Sequence, residues 1–272
     1  MLKKFSLGLM FLSLFSASQQ AQEKQDSKSS EDSAAPKTND KDPLEKINKS
    51  IGNLRKLPEG NVWIDLKKKL VVIDGEVCLR RGPLEMLACP PHTKEHESII
   101  QAHAQSFIVH TALLMVGAES GKPVEWVPKY KAASGNQVEI TIHWLDKEGK
   151  HQKVRAQEWI KNVKTKKAMT ENWVFAGSEF YTNPNTKVRH YLADGGEMIC
   201  VANFTTAMMD LPIESSQSKE GLIFEAFTDK IPPMKTPIRL VLKPAPAKKK
   251  KGDEKKEDNA KKGQAKKAEI GE

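Results

Sequence analysis

Short segments in which apolar and polar residues alternate recur along the chain, and they restrict its fold more than any other feature. The alternation is clearest over residues 137–145, where Val138, Ile140, Ile142 and Trp144 are separated by single residues. A period of two places the apolar side chains on one face of a β-strand. Together with flanking turn residues, the pattern predicts strands over residues 61–66, 70–79, 84–88, 137–145, 153–156, 173–176, 188–192, 198–202, 222–227 and 238–242.

Helical spacing is confined to a few short segments. Residues 44–57 predict an amphipathic helix, and residues 107–116 predict a second helix that Ser106 caps and a glycine ends. The second helix is apolar nearly all round, which predicts burial. A third short helix is expected around Trp159. Because strands outnumber helices, and turns such as Asp-Gly-Gly at residues 194–196 link neighbouring strands, we predict an α+β domain with a largely antiparallel, hairpin-linked sheet and a few short helices.

The two ends of the chain differ in composition from the middle. A basic pair, an apolar run and small residues at the N-terminus are typical of a signal peptide, so we expect export, with this segment either cleaved or retained as an anchor. Polar stretches without aromatic residues predict disorder on both sides of the domain. The predicted boundaries are 1–18 for the signal peptide, 19–43 for a linker, 44–243 for one domain and 244–272 for a Lys-rich tail.

The charge pattern bears on partners. The chain has a formal net charge of +9, and its tail contains the consecutive residues Lys248, Lys249, Lys250 and Lys251. Such a run can contact an anionic surface through attraction that does not depend on sequence. Basic and aromatic residues are not interleaved, so nucleic acid is not an expected partner. An exported chain of this kind is expected to meet a component of the cell envelope.

Residues 84–98 concentrate chemically versatile side chains just after an apolar segment. Cys89 ends that segment, two prolines follow it, and His92 and His96 come next. Cysteine and histidine are ligands that suit zinc or copper, so Cys89, His92 and His96 form a candidate metal site. The charged residues between and beside the histidines are candidate binding residues, with a merely solvated turn as the alternative. They are Lys94, Glu95 and Glu97.

Several separated motifs, taken in order, resemble the YdjY-domain proteins of bacteria, in particular the exported members of planctomycete type. The resemblance extends over residues 57–243. The motifs are G-P-L-E-M-L-A-C-P at 82–90, T-K-E-H-E-S at 93–98, H-T-A-L-L-M-V-G-A at 110–118, W-V-F-A-G-S at 173–178, I-C-V-A-N-F at 199–204 and L-P-I-E-S-S at 211–216.

The resemblance implies no established activity. Some family members carry a cysteine-rich iron–sulfur pattern, which needs four closely spaced cysteines. This chain has only Cys78, Cys89 and Cys200, so no iron–sulfur cluster is expected. Three pairings are open to these cysteines, or none. Because Cys89 and Cys200 both lie in family-like motifs, they are the candidate disulfide, and the alternative is that both are buried free thiols.

No convincing catalytic constellation is present, which favours a non-enzymatic role. We therefore predict an exported binding or scaffolding module of the cell envelope. The alternative hypothesis is a thiol- or metal-dependent protein, for redox chemistry or metal handling, centred on Cys89 and His96. A hydrolase is a third hypothesis, with Cys89 activated by His96 or His92 and the imidazole oriented by Glu97 or Glu95.

Overall fold

Residues 44–215 and 221–246 are described by a computed structural model of the chain. Most regular elements in these residues are strands, and the two α-helices they contain are short: α1 (Glu45–Ile51) and α2 (Ser106–Met115). The strands are β1 (Arg55–Lys56), β2 (Val62–Asp65), β3 (Leu70–Val77), β4 (Met86–Cys89), β5 (Ser98–Ala102), β6 (Gln137–Leu145), β7 (His151–Arg155), β8 (Ile160–Asn162), β9 (Trp173–Phe175), β10 (Phe180–Thr182), β11 (Arg189–Tyr191), β12 (Ile199–Cys200), β13 (Met209–Asp210), β14 (Phe224–Ala226) and β15 (Pro237–Pro244).

Eight of the strands close into a barrel. Their order is β3-β15-β6-β9-β13-β12-β4-β5, and β5 pairs back with β3. The pairs β4–β5 and β12–β13 are parallel, whereas the other barrel neighbours are antiparallel. The sheet extends beyond the barrel through β7, which pairs with β6, and through β2 and β1, which follow β3.

The predicted α+β class is therefore wrong, because the domain is mostly β and is organised around a closed barrel rather than a hairpin-linked sheet. The strand pairs that build the barrel join distant parts of the chain: Arg239 of β15 lies opposite both Asp74 of β3 and His143 of β6. Turn signals identify only strands that are neighbours in sequence, so they leave such pairings undetected.

The segment around residues 194–196 shows how the prediction failed. Instead of a hairpin turn, the structure has a 3₁₀-helix at Leu192–Gly195. The strand before it, β11, pairs with β10, and the strand after it, β12, pairs with β4 and β13. Each predicted strand nevertheless overlaps an observed one, and β6 spans the predicted residues 137–145. The predicted ranges do not include β1, β5, β8, β10 and β13.

The alternating strands fill the barrel with apolar side chains. On β6, Val138, Ile140 and Ile142 are buried, and they share one core cluster with Ile73 of β3 and Leu240 of β15. The residues between them point to the outer face. Part of that face is covered by α1, whose Ile47 and Ile51 pack in a second cluster with residues of β3 and β15, namely Leu70, Val72 and Val241.

Gly75 permits the barrel to close where β5 meets β3. It lies opposite Ala102, and a Cβ atom added to Gly75 would stand 2.7 Å from the carbonyl oxygen of Gln101. That separation is shorter than any ordinary carbon–oxygen contact, so a side chain at this position would push the two strands apart. The role of this glycine is therefore to allow the close approach of two backbones.

Helix α2 ends as predicted but is less buried than predicted, because Phe107, Leu114 and Met115 are exposed. The N–H groups of Gly117 and Ala118 donate to the carbonyl oxygens of Leu114 and Leu113, in the pattern of a Schellman motif. Gly117 has the left-handed φ of +86° that this motif requires. Ser106 is the first helical residue rather than the cap, and its hydroxyl donates to the Ala193 carbonyl 2.8 Å away.

No helix among residues 44–215 and 221–246 has the length and apolar character needed to cross a membrane. The predicted signal peptide (1–18), the linker (19–43) and the lysines at 248–251 lie outside the described residues.

Candidate functional site

The predicted site forms a tight loop between β4 and β5. The Thr93 hydroxyl donates to the Pro90 carbonyl at 2.6 Å, and His92 adopts a left-handed backbone with φ of +63°. A 3₁₀-helix at Glu95–Glu97 then leads directly into β5. The Glu95 carboxylate accepts a hydrogen bond from Gln101 Nε2 at 2.8 Å, so it anchors the loop to the strand that follows.

The three cysteines carry free thiols, and the predicted disulfide between Cys89 and Cys200 is not formed. Both residues are fully buried. Cys200 packs with Met86 and Ala207, whereas Cys89 lies at the end of β4 next to Ser98. Burial raises the pKa of both thiols, although nearby hydroxyl and N–H groups partly oppose this at Cys89. A thiol held protonated in this way is a poor nucleophile and a poor metal ligand.

The two predicted histidine ligands do not approach Cys89 as a set. His92 and His96 are exposed, and the His96 side chain is 71% exposed, with its Nε2 atom 3.7 Å from the Glu97 carboxylate. Within the described part of the chain, no three His, Cys, Asp or Glu side chains come together in an arrangement that could hold a metal ion. Metal binding by Cys89, His92 and His96 stays a prediction that this geometry does not support.

Lys94 is the centre of a charged cluster that draws in residues from three segments. Its ammonium lies 3.2 Å from Glu197, 3.3 Å from Glu85 and 3.6 Å from Glu97, and 4.6 Å from the centre of the Phe204 ring. All four charged side chains are largely shielded from solvent. The loop prediction had singled out Lys94 and Glu97. Glu197 was missed because it is distant in sequence, and Glu85 was missed because it precedes β4, on the other side of that strand from the loop.

The members of the cluster shift one another's pKa values. Partial burial disfavours the charged ammonium, but attraction by Glu197, Glu85 and Glu97 outweighs it and holds the pKa of Lys94 above its ordinary value. Burial and the neighbouring Glu97 carboxyl raise the pKa of Glu85, against the effect of Lys94. Lys94 connects its loop to two other segments, because Glu85 lies just before β4 and Glu197 lies just before β12.

Gly196 makes room for this lysine. A Cβ atom on Gly196 would stand 2.6 Å from the aliphatic carbons of the Lys94 side chain, and its φ of +141° lies in the region that favours glycine. The Asp-Gly-Gly sequence predicted as a hairpin turn thus serves to pack the Lys94 stem. Ligand binding by Lys94, Glu95 and Glu97 stays a prediction. The charges of these residues are already engaged with protein groups, which leaves them less available to a ligand.

A second surface, which the sequence did not reveal, lies on α2 and the β10–β11 hairpin. We call it the α2–hairpin surface. Its rings contact one another across the two elements: Phe107 and Phe180 have ring centres 5.7 Å apart, and Phe180 and Tyr191 have ring centres 5.1 Å apart. The large apolar residues exposed on these elements are Phe107, Leu114, Met115, Phe180, Tyr181 and Val188.

The α2–hairpin surface rests on a buried polar network. Tyr191 donates its hydroxyl hydrogen to the Gly177 carbonyl at 2.9 Å. The hydroxyl has one hydrogen, so His110, whose Nδ1 is 2.8 Å from the Tyr191 oxygen, must be the donor in that contact. Burial lowers the pKa of His110, although the Gly177 carbonyl opposes this, so the imidazole is neutral at neutral pH. The network fixes the hairpin against α2.

The hairpin adds basic side chains to this surface, and a cleft lies beside it. The Arg189 guanidinium stacks on Phe180, 3.8 Å from the ring centre. Residues 180–191 include Lys187 and Arg189 but no acidic residue. An open cleft of about 530 Å³ adjoins the base of the hairpin and is lined in part by Trp126, Ser178 and Leu192. The surface is therefore apolar at its centre and basic along the hairpin.

The chain was compared with known families and proteins. The model of the YdjY domain matches residues 62–243, a span that contains the charged cluster, the α2–hairpin surface and every barrel strand apart from the last residue of β15. No curated protein and no solved structure shows a significant match to the chain. Since the matched span exceeds half of the 272 residues, the chain belongs to the YdjY domain family.

Proposed function

We propose that this protein is an exported, non-catalytic binding module of the cell envelope, and that it holds a protein partner on the α2–hairpin surface. The observation that carries the proposal is the exposure of large aromatic side chains on two contacting elements: Phe107 on α2 is 41% exposed, and Phe180 and Tyr181 on β10 are 40% and 49% exposed. Soluble proteins rarely leave several large apolar side chains exposed together unless another molecule covers them.

The composition of the surface favours a protein as its partner. Aromatic residues, Met and Arg are enriched in the centres of protein–protein interfaces, whereas Lys and acidic residues are depleted there. The α2–hairpin surface combines Phe107, Met115, Phe180 and Tyr181 with a stacked Arg189. Because the hairpin is basic, the expected partner presents apolar side chains within a rim of carboxylates.

The arrangement of the helix supports a continuous contact. Phe107, Leu114 and Met115 are exposed on α2 at positions i, i+7 and i+8, which lie on one side of an α-helix. The ring contact between Phe107 and Phe180 joins this stripe to the hairpin. A partner can thus cover both elements at once without a change in the domain.

Site-specific photo-cross-linking in the producing cell tests the proposal. A photoreactive phenylalanine analogue is placed at Tyr181 or Phe107, and at Met234 as a control, since Met234 is 50% exposed on another part of the domain. We expect one protein to be cross-linked from positions 181 and 107 but not from 234. Adding Phe180→Ala should remove most of the product, because a central aromatic residue contributes about 2 kcal/mol or more.

The same experiment can contradict the proposal. Equal products from all three positions, or none from 181 and 107, would exclude a specific partner on this surface. Export is tested separately by recovering the protein from cell fractions and measuring its intact mass. A chain found only inside the cell, with its first residues intact, would contradict export.

A further inference from the structure

Two histidines of the β6–β7 hairpin face each other outside the surfaces described above. His143 Nδ1 and His151 Nε2 are 2.9 Å apart, and the ring centres are 5.1 Å apart with 31° between the ring planes. Lys153 is the direct cross-strand neighbour of His143, and Leu145 is that of His151, so the two imidazoles form a diagonal pair on antiparallel strands.

The buried histidine, His143, is held in place by a second contact, and His151 is accessible to solvent. The far nitrogen of His143, Nε2, lies 3.0 Å from the Thr141 hydroxyl. A second partner of this kind commonly orients a metal-binding imidazole, because it fixes the tautomer and the plane of the ring. His143 is buried whereas His151 is exposed, so an ion can reach the pair from solvent.

We propose that His143 Nδ1 and His151 Nε2 form a binding site for a borderline transition-metal ion, with Cu²⁺ as the preferred ion and water as its remaining ligands. Two nitrogens that each lie about 2.0 Å from one ion are about 2.8 Å apart when they subtend 90°, which is the tetragonal geometry of Cu²⁺. The observed separation of the two nitrogens, 2.9 Å, is close to this value. Cu²⁺ also binds imidazole nitrogen more tightly than the other first-row divalent ions do.

Binding requires a shift of hydrogens but no net loss of a proton. One hydrogen now lies between the facing nitrogens. When the ion binds, each imidazole keeps a single N–H on its far nitrogen, which for His143 faces Thr141, and two water molecules leave the ion.

The surroundings set the strength of the site. His143 also borders an open cleft of about 260 Å³, whose charged lining residues are Glu139, Lys153 and Lys243. The two ammonium groups oppose a cation and one carboxylate favours it. We therefore expect a site that binds Cu²⁺ more weakly than a three-histidine site, yet more tightly than an isolated surface histidine.

Calorimetric titration of the full chain with Cu²⁺ in a non-coordinating buffer, combined with electron paramagnetic resonance, tests the proposal. We expect one equivalent to bind and the spectrum to show two nitrogen ligands. His151→Ala should lower the affinity at least tenfold. His96→Ala is the matched control, since His96 is also an exposed histidine beside a charged residue; this variant should bind as the unaltered chain does.

Three results would overturn the proposal. They are failure of the full chain to bind Cu²⁺ near equimolar concentration, unchanged affinity in His151→Ala, and loss of binding in His96→Ala but not in His151→Ala. The last result would instead assign the ion to the loop between β4 and β5. Because His151 is exposed, its replacement leaves the fold intact, so the test stands even if His143→Ala unfolds the chain.

Discussion

The guanidinium of Arg239 on β15 contacts the carboxylate of Asp74, the residue directly opposite on β3, in a position almost closed to solvent. Arg239 Nε also donates to Asn48 of α1 at 3.0 Å, and the guanidinium lies 4.7 Å from the centre of the Trp63 ring. One buried cation thereby ties α1 and β2 to the outer face of the barrel. Asp74 in turn lies 3.5 Å from His103.

Replacing Arg239 with Met should destabilise the domain by about 2 kcal/mol, because the partly buried Asp74 carboxylate loses its guanidinium partner and the Asn48 side-chain carbonyl loses its donor. Urea denaturation followed by circular dichroism measures the loss. The control is Lys235→Ala, which removes an exposed ion pair to Glu76 near the same strand end. Its free energy of unfolding should change little; an equal loss in both variants would contradict a special role for Arg239.

Asp210→Asn should change how stability depends on pH. Burial raises the pKa of Asp210 to about 7, although Asn203 and the N–H groups of Leu211 and Phe204 oppose this. The folded state therefore holds a proton that the unfolded chain releases near pH 4. The contribution of this group is greatest below pH 4 and falls by about 4 kcal/mol as the pH rises to about 7.

We therefore expect Asp210→Asn to raise the melting temperature relative to the unaltered chain at pH 8, with the advantage shrinking towards pH 4. Scanning calorimetry across this range measures the difference. Asp229→Asn, at an exposed position of the 3₁₀-helix Thr228–Lys230, is the control, and like most exposed substitutions it should leave the melting temperature nearly unchanged. An advantage that is the same at pH 4 and pH 8 would show that the carboxyl of Asp210 does not titrate as inferred.

Gly75→Ala should weaken the closure of the barrel, because its Cβ atom would collide with the Gln101 carbonyl of β5. We expect a loss of about 2 kcal/mol, the usual order for overpacking a tight site. Hydrogen exchange should also become faster in β3 and β5 than in β6 and β15. Gly195→Ala is the control, since its nearest neighbour would be 3.5 Å away. Unchanged exchange in β5 would argue against the role assigned to Gly75.

Lys94→Met should destabilise the domain by about 2 kcal/mol at pH 7, because three carboxylates then face one another without a cation. The loss should be smaller at pH 4, because the pKa of Glu85 is raised and its protonation relieves part of the repulsion. Lys161→Met is a matched control, since Lys161 forms a single ion pair of 2.8 Å with Glu225 and also lies over an aromatic ring. Equal losses in the two variants would mean that the cluster around Lys94 acts as an ordinary surface pair.

Local features of the chain could be predicted because they depend on residues close together in sequence. The alternation of Val138, Ile140 and Ile142 identified β6, and Gly117 marked the end of α2 through its left-handed backbone. The family motifs likewise led to the correct family, because each motif is a continuous string. The location of Lys94 and Glu97 in the loop that follows Cys89 could be predicted from the same kind of local information.

The closed barrel, the cluster around Lys94 and the α2–hairpin surface depend instead on segments that meet only when the chain folds. Nothing near Arg239 indicates that Asp74 will lie opposite it, and nothing near Lys94 indicates that Glu197 will contact it. The apolar composition of α2 predicted that Phe107 is buried, yet its side chain is exposed. Whether a neighbouring element covers a side chain depends on how the whole domain packs. Periodicity specifies which face of an element is apolar, whereas the free energy of packing the whole chain decides what that face meets.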